Sequence, residues 1–131
     1  MVTYSDDKLL KAGDVAEVFR LSGIRRPFED LERIQRMIDN ADIIVSAWQD
    51  GAMIGVARAI TDYSYCCYLS DLAVDSRYQK SGIGRELVER IRSRIGDECS
   101  LVLLSAPGAV DFYPRLGFEH VERAFAIKRK R

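Results

Sequence analysis

The spacing of apolar positions divides the chain into stretches of two different periods. Ala12, Val15, Val18 and Phe19 recur at helical spacing, and Gly23 closes that stretch. Phe28, Leu31, Ile34, Ile38 and Ala41 mark a second amphipathic helix, with Pro27 suited to its first turn. The period then shortens. Ile43 to Trp48 is a β-rich run, Asp50-Gly51 is a hairpin turn signal, and Met53 to Ile60 reads as the returning strand. Tyr65 to Val74 has the same character, and Val2-Thr3-Tyr4 makes a short opening strand.

After Val74 a polar loop, Asp75 to Ser81, leads into the strongest helix signal of the chain. Ile83, Leu87, Val88, Ile91 and Ile95 share one apolar face there, and Gly96 closes it. Leu101-Val102-Leu103-Leu104 is continuously apolar, which predicts a strand buried on both faces of a sheet. Pro107 opens a short helix to Leu116, Gly117 stops it, and Pro114 removes an N–H and distorts it. Phe118 to Val121 and Ala124 to Ile127 are predicted as a final hairpin. The order is β-α-α-β-β-β-α-β-α-β-β, a mixed α/β domain. No repeat or linker interrupts it, so residues 1–131 read as one domain.

With 47% apolar and 31% charged residues, the chain can bury a core and does not resemble a disordered one. Its formal net charge is zero, so no broad field draws it to nucleic acid or an anionic membrane. Lys128-Arg129-Lys130-Arg131 alone supports only weak phosphate binding and reads as a solvated end. No apolar run approaches the roughly 20 residues that span a bilayer, and the first residues lack a signal-peptide layout. A cytoplasmic protein is the expectation. Cys66, Cys67 and Cys99 are odd in number and lack metal-ligand spacing, so free thiols are expected, with Cys66 and Cys67 on opposite strand faces. With His120 the only histidine, a metal site and histidine catalysis are not expected.

Gln79-Lys80-Ser81-Gly82-Ile83-Gly84 stands between a strand and the strongest helix. A helix N-terminus carries unpaired N–H groups and partial positive charge, and glycines let backbone approach a ligand closely. Lys80 and Arg85 add charge, and Arg77 lies within reach, so a pyrophosphate suits this loop. A plain strand-to-helix turn is the alternative. The loop is not a Walker A motif, which needs Gly-Lys-Ser/Thr after its glycines, nor the dinucleotide fingerprint, which belongs to a first βαβ unit.

Asp71-Leu72-Ala73-Val74 followed by Arg77 to Gly84 resembles motif A of the GNAT acyltransferases, and Ala109-Val110-Asp111-Phe112-Tyr113-Pro114-Arg115-Leu116-Gly117-Phe118 resembles their motif B. The resemblance implies a central mixed, mostly antiparallel sheet flanked by helices. It implies acetyl-CoA as cosubstrate, with the pyrophosphate on the amides of Gln79, Lys80, Ser81, Gly82, Ile83 and Gly84 and Arg85 nearby. Leu72 and Val74, with Ala73 between them, would lie along the pantetheine arm, Leu72 and Val74 pairing with it as with an added strand. Tyr113 would protonate the leaving thiolate, and a backbone N–H of Leu72 to Val74 would hold the oxyanion.

The acceptor would be a primary amine. Asp71 is the leading candidate for its base, against a structural carboxylate paired with an arginine or a water chain. Glu29, Asp30 and Glu32 would lie on the acceptor side, as attractors of a cationic amine or as a plain solvated face. Ala106 stands where many family members have a pantetheine-binding Asn, which leaves a CoA-binding sensor with little turnover as the alternative function. A homodimer is the oligomer suggested by the same analogy.

Overall fold

A computed structural model describes residues 1–131. The elements are β1 (Thr3–Ser5), α1 (Ala12–Ser22), α2 (Leu31–Asp39), β2 (Ile43–Gln49), β3 (Ala52–Thr61), β4 (Cys66–Val74), α3 (Ile83–Ile95) and β5 (Ser100–Val102). They form one sheet in the order β1-β2-β3-β4-β5, antiparallel except for the parallel pair β4–β5. This is the mixed, mostly antiparallel sheet flanked by helices that the sequence implied.

The two faces of the sheet carry separate cores. Helix α3 packs Ile83, Leu87, Val88, Ile91 and Ile95 on Val45, Ala57, Leu69 and Val74, while α1 and α2 cover Ile44, Val56 and Ala73 from the other side. Asp50 and Gly51 both take positive φ in the β2–β3 turn, as the Asp-Gly signal requires. Helix α2 begins at Leu31 rather than at Pro27, because the Asp30 carboxylate accepts the Arg33 N–H and caps it there.

Strand β4 contains one extra residue. Arg58 pairs with Asp71 and Ala59 with Leu69, so Ser70 has no opposite number. The bulge reverses the alternation. Cys67 and Leu69 face α3, then Asp71 and Ala73 face the α1–α2 side, while Leu72 and Val74 turn toward α3.

Three sequence expectations do not hold. Residues 118–127 form no strand, so β5 is an edge, and Val102 and Leu104 are exposed rather than buried on both faces. The segment from Pro107 to Leu116 is two 3-10 turns, Pro107–Ala109 and Tyr113–Leu116, rather than one helix. Glycine and proline at 108 and 114 supply the reason, one by its entropy and the other by its missing N–H.

The β3–β4 hairpin is tied by one carboxylate. Asp62 Oδ1 accepts the N–H groups of Ser64, Cys66 and Tyr65, which lower its pKa to about 2. A pKa depressed in the fold gives stability that is present above the unfolded value, about 3.9, and lost as pH falls through about 2. Urea unfolding at a series of pH values should show Asp62→Ala less stable at neutrality and less sensitive to acid between about pH 4 and 2. Parallel acid limbs for the two proteins would remove this carboxylate from the hairpin's stability.

Candidate active site

Beyond Val74, a 3-10 turn (Ser76–Tyr78) leads into the glycine loop and the head of α3. Gly82 is the helix N-cap with φ +87°, and Lys80 has φ +68°. No group of the protein accepts a hydrogen bond from any backbone N–H between Gln79 and Arg85. These consecutive free donors at the positive end of a helix form an anion cradle.

The loop is braced from below. Asp75 is buried, donates its N–H to Ile54 O at 2.8 Å, and accepts the Arg77 N–H and side chain. The Arg77 guanidinium holds the Asp75 carboxyl below the usual range, so that cation is already paired. Gln79 Nε2 donates to Val74 O at 2.9 Å, and Ser81 Oγ donates to Tyr78 O. Gly84 has a packing role as well as an open N–H. A Cβ there would lie 3.2 Å from the Phe112 ring, so glycine lets the Tyr113 segment close on the first turn of α3. Arg85 Nη2 reaches Arg115 O at 3.2 Å and joins the same two parts.

Strands β4 and β5 pair only at Cys66–Ser100, Cys67–Leu101 and Tyr68–Val102. Past Tyr68 the edge of β4 has no strand beside it. The Asp75 N–H points into the β3 ladder, and alternation turns Ala73 the same way. Leu72 and the Val74 N–H therefore face the open edge, while the Val74 carbonyl is already held by Gln79 Nε2. Of the expected pantetheine residues, these two are on the open edge. Ala73 is not, because its N–H and C=O face Val56 across the ladder and its methyl is buried under α1 and α2. Ile83 likewise offers only its N–H, since its side chain is in the core.

Tyr113 opens the second 3-10 turn, half-buried, with its ring edge-on to Phe112 (centroids 5.1 Å apart) and Phe118 (5.5 Å). Burial raises its pKa above 10, and the Arg26 guanidinium opposes part of that rise. The phenol is thus protonated throughout the neutral range. It also lines a cavity of about 600 Å³ between β5 and the C-terminal stretch. That cavity lies along the outer edge of β5, and none of the glycine-loop residues borders it.

Asp71 is the main correction. Its side chain is fully buried, and its two oxygens are taken by Arg26 Nε and Arg58 Nε, each at 2.5 Å. A carboxylate enclosed by two guanidiniums and closed to water offers nothing to an incoming ammonium, so a base role does not fit. The bulge at Ser70 aims it away from α3 and toward the α1–α2 loop, where Arg26 sits. Neither arginine was singled out from the sequence. The available signal was Arg58 itself, the one charged residue within the otherwise apolar run Met53 to Ile60. Of the three acidic residues expected beside the acceptor, Asp30 is used as a helix cap, and Glu29 and Glu32 are exposed.

The family model described as acetyltransferase (GNAT) domain matches residues 3–128, and the chain belongs to that family. The GCN5-related N-acetyltransferase 2, chloroplastic, of Arabidopsis thaliana is 38% identical over 73 residues, 54% of this chain and 28% of that protein. The uncharacterized N-acetyltransferase ycf52 of Gracilaria tenuistipitata var. liui is 31% identical over 101 residues, 72% of this chain and 54% of that protein. Among solved structures, Staphylococcus aureus SA2161 has the same fold, with a TM-score of 0.86 at 23% identity over 98% of this chain and 100% of that one. This chain spans about half the length of these curated relatives, or less. No helix is long and apolar enough to cross a membrane.

Proposed function

We propose that the chain transfers the acetyl group of acetyl-CoA to a primary amine. The observation that carries this reading is the unbroken row of free amides from Gln79 to Arg85, adjoining the open edge of Leu72 and Val74. A pyrophosphate supplies the acceptor oxygens those amides lack, and an amide-bearing arm supplies the partner that β5 withdraws. When bound, the cosubstrate contributes an activated thioester. The Leu72 or Val74 N–H, turned to the cleft, holds the oxyanion of the tetrahedral intermediate. The amine gives up its proton to solvent rather than to Asp71. Acetyl-CoA and the amine acceptor are the partners of the reaction, and its three unbridged thiols suit a reducing compartment such as the cytoplasm.

Tyr113 protonates the departing sulfur. Its raised pKa places it mildly uphill of a thiol near 8.5, yet a positioned phenol still lowers the barrier as charge collects on sulfur. Tyr113→Phe should leave CoA affinity intact by calorimetry and lower kcat by about 10-fold or more. The wild type should lose activity at alkaline pH only above the ordinary tyrosine range, and the variant should lack that limb. Equal rates would make the ring a packing residue. CoA binding without thiol release from acetyl-CoA, across a broad amine panel, would make the chain a CoA-binding module.

A further inference from the structure

Strands β3 and β4 bury a charge imbalance beside the cleft. One guanidinium is enough to neutralise Asp71, but Arg26 and Arg58 both converge on it, with side chains 21% and 13% exposed. The cluster therefore carries one net positive charge in a largely desolvated place. Such charge is costly unless a second anion arrives.

The two arginines differ in what remains free. Arg26 is spent: Nε on Asp71, Nη1 on Arg25 O at 2.6 Å, and Nη2 on Ser70 O at 2.6 Å. Arg58 gives Nε to Asp71 and Nη2 to Ser70 Oγ at 3.0 Å, but Nη1 makes no bond within the protein. No buried polar side-chain atom lacks a partner, so this nitrogen is open to water.

Its surroundings point outward on the face opposite α3. Arg58 shares its strand face with Ile60, and the paired row Ile60–Tyr68–Val102 is left uncovered there by any helix. A thioester whose pyrophosphate rests at the head of α3 can be approached from this other face. The acceptor would thus meet an apolar floor and a free guanidinium donor.

We propose that the acceptor amine belongs to a molecule that also carries an oxyanion, a carboxylate or phosphate, held by Arg58 Nη1. This rests on the acyltransferase reading above. A guanidinium suits such a group better than an ammonium does, because it is planar and donates in parallel. The free donor and the net charge select against polyamines and other purely cationic acceptors.

The test compares matched amines in thiol release: lysine with cadaverine, phenylalanine with phenethylamine, and glucosamine 6-phosphate with glucosamine. The anionic member should have a kcat/KM higher by about 10-fold or more. Arg58→Gln leaves Asp71 neutralised by Arg26, and it should cut that preference to within about 3-fold with CoA affinity unchanged. A second readout does not depend on turnover. The Arg58 Nε–Hε resonance of CoA-loaded protein should shift when sodium phosphate is added, since CoA already fills the glycine loop. Preference for the neutral members, or a resonance that does not move, overturns the proposal. Failure of the wild type to bind CoA would be a different result, the collapse of the acetyl-CoA reading itself.

Discussion

Gly82→Glu should lower CoA affinity by at least about 100-fold, equivalent to about 2.7 kcal/mol, while the domain stays folded. A Cβ at Gly82 meets no atom within 4 Å, so the side chain has room. The cost to the fold is confined to holding an L-residue at φ +87°, about 1–2 kcal/mol. The cost to the ligand is larger, for two reasons. The added carboxylate sits at the N-cap of α3, where it accepts from the free amides itself and takes the pyrophosphate's place. It also sets a negative charge against the phosphates that remain. Calorimetry of the variant with CoA reads the affinity, and circular dichroism confirms the fold. A folded variant with wild-type affinity would remove the glycine loop from the cofactor site.

Asp71→Asn should destabilise the domain by about 3 kcal/mol, a fall in Tm of roughly 10 °C. Asparagine keeps the size of the side chain but offers one acceptor oxygen in place of two and no charge. Two largely buried guanidiniums then face each other without a counter-ion. Removing one partner of such a cluster costs more than the cluster is worth intact, because the remaining charge stays desolvated. Adding Arg58→Gln to the same chain should restore part of the loss, since it removes one stranded charge. Urea unfolding of the single and double variants provides the comparison. Unchanged stability in Asp71→Asn, with a pH–rate profile shifted upward, would restore a proton-transfer role to this carboxylate.

What the sequence shows directly is whatever depends on neighbours along the chain. Helix α3, the Asp50-Gly51 turn and the glycine loop are local features, written in periodicity and in glycine placement. The surroundings of Asp71 are not local. Arg26 lies 45 positions away on an irregular loop, and the pairing depends on a bulge at Ser70 that no periodicity announces. Strict alternation would have placed Asp71 beside Leu69, facing α3. The misreading of Leu101 to Leu104 has a related cause. A continuous apolar run suggests burial on both faces, but β5 has a partner on one side only, and its length of pairing is set by the divergence from β4. The segment after Gly117 was apolar enough to suggest strands, yet Phe125 and Ile127 are exposed, and nothing local fixes where such a segment pairs.

The extra residue at Ser70 gives β4 something like a reading frame. Upstream of it odd-numbered side chains serve the α3 core, and downstream even-numbered ones do. Replacing a residue in β4 alters one contact. Losing Ser70 would leave Leu69 on the α3 face and Asp71 on the other in plain alternation, but it would remove the carbonyl that holds Arg26 Nη2 and the hydroxyl that holds Arg58 Nη2. The worth of the extra residue therefore lies in what it binds rather than in the phase of the strand.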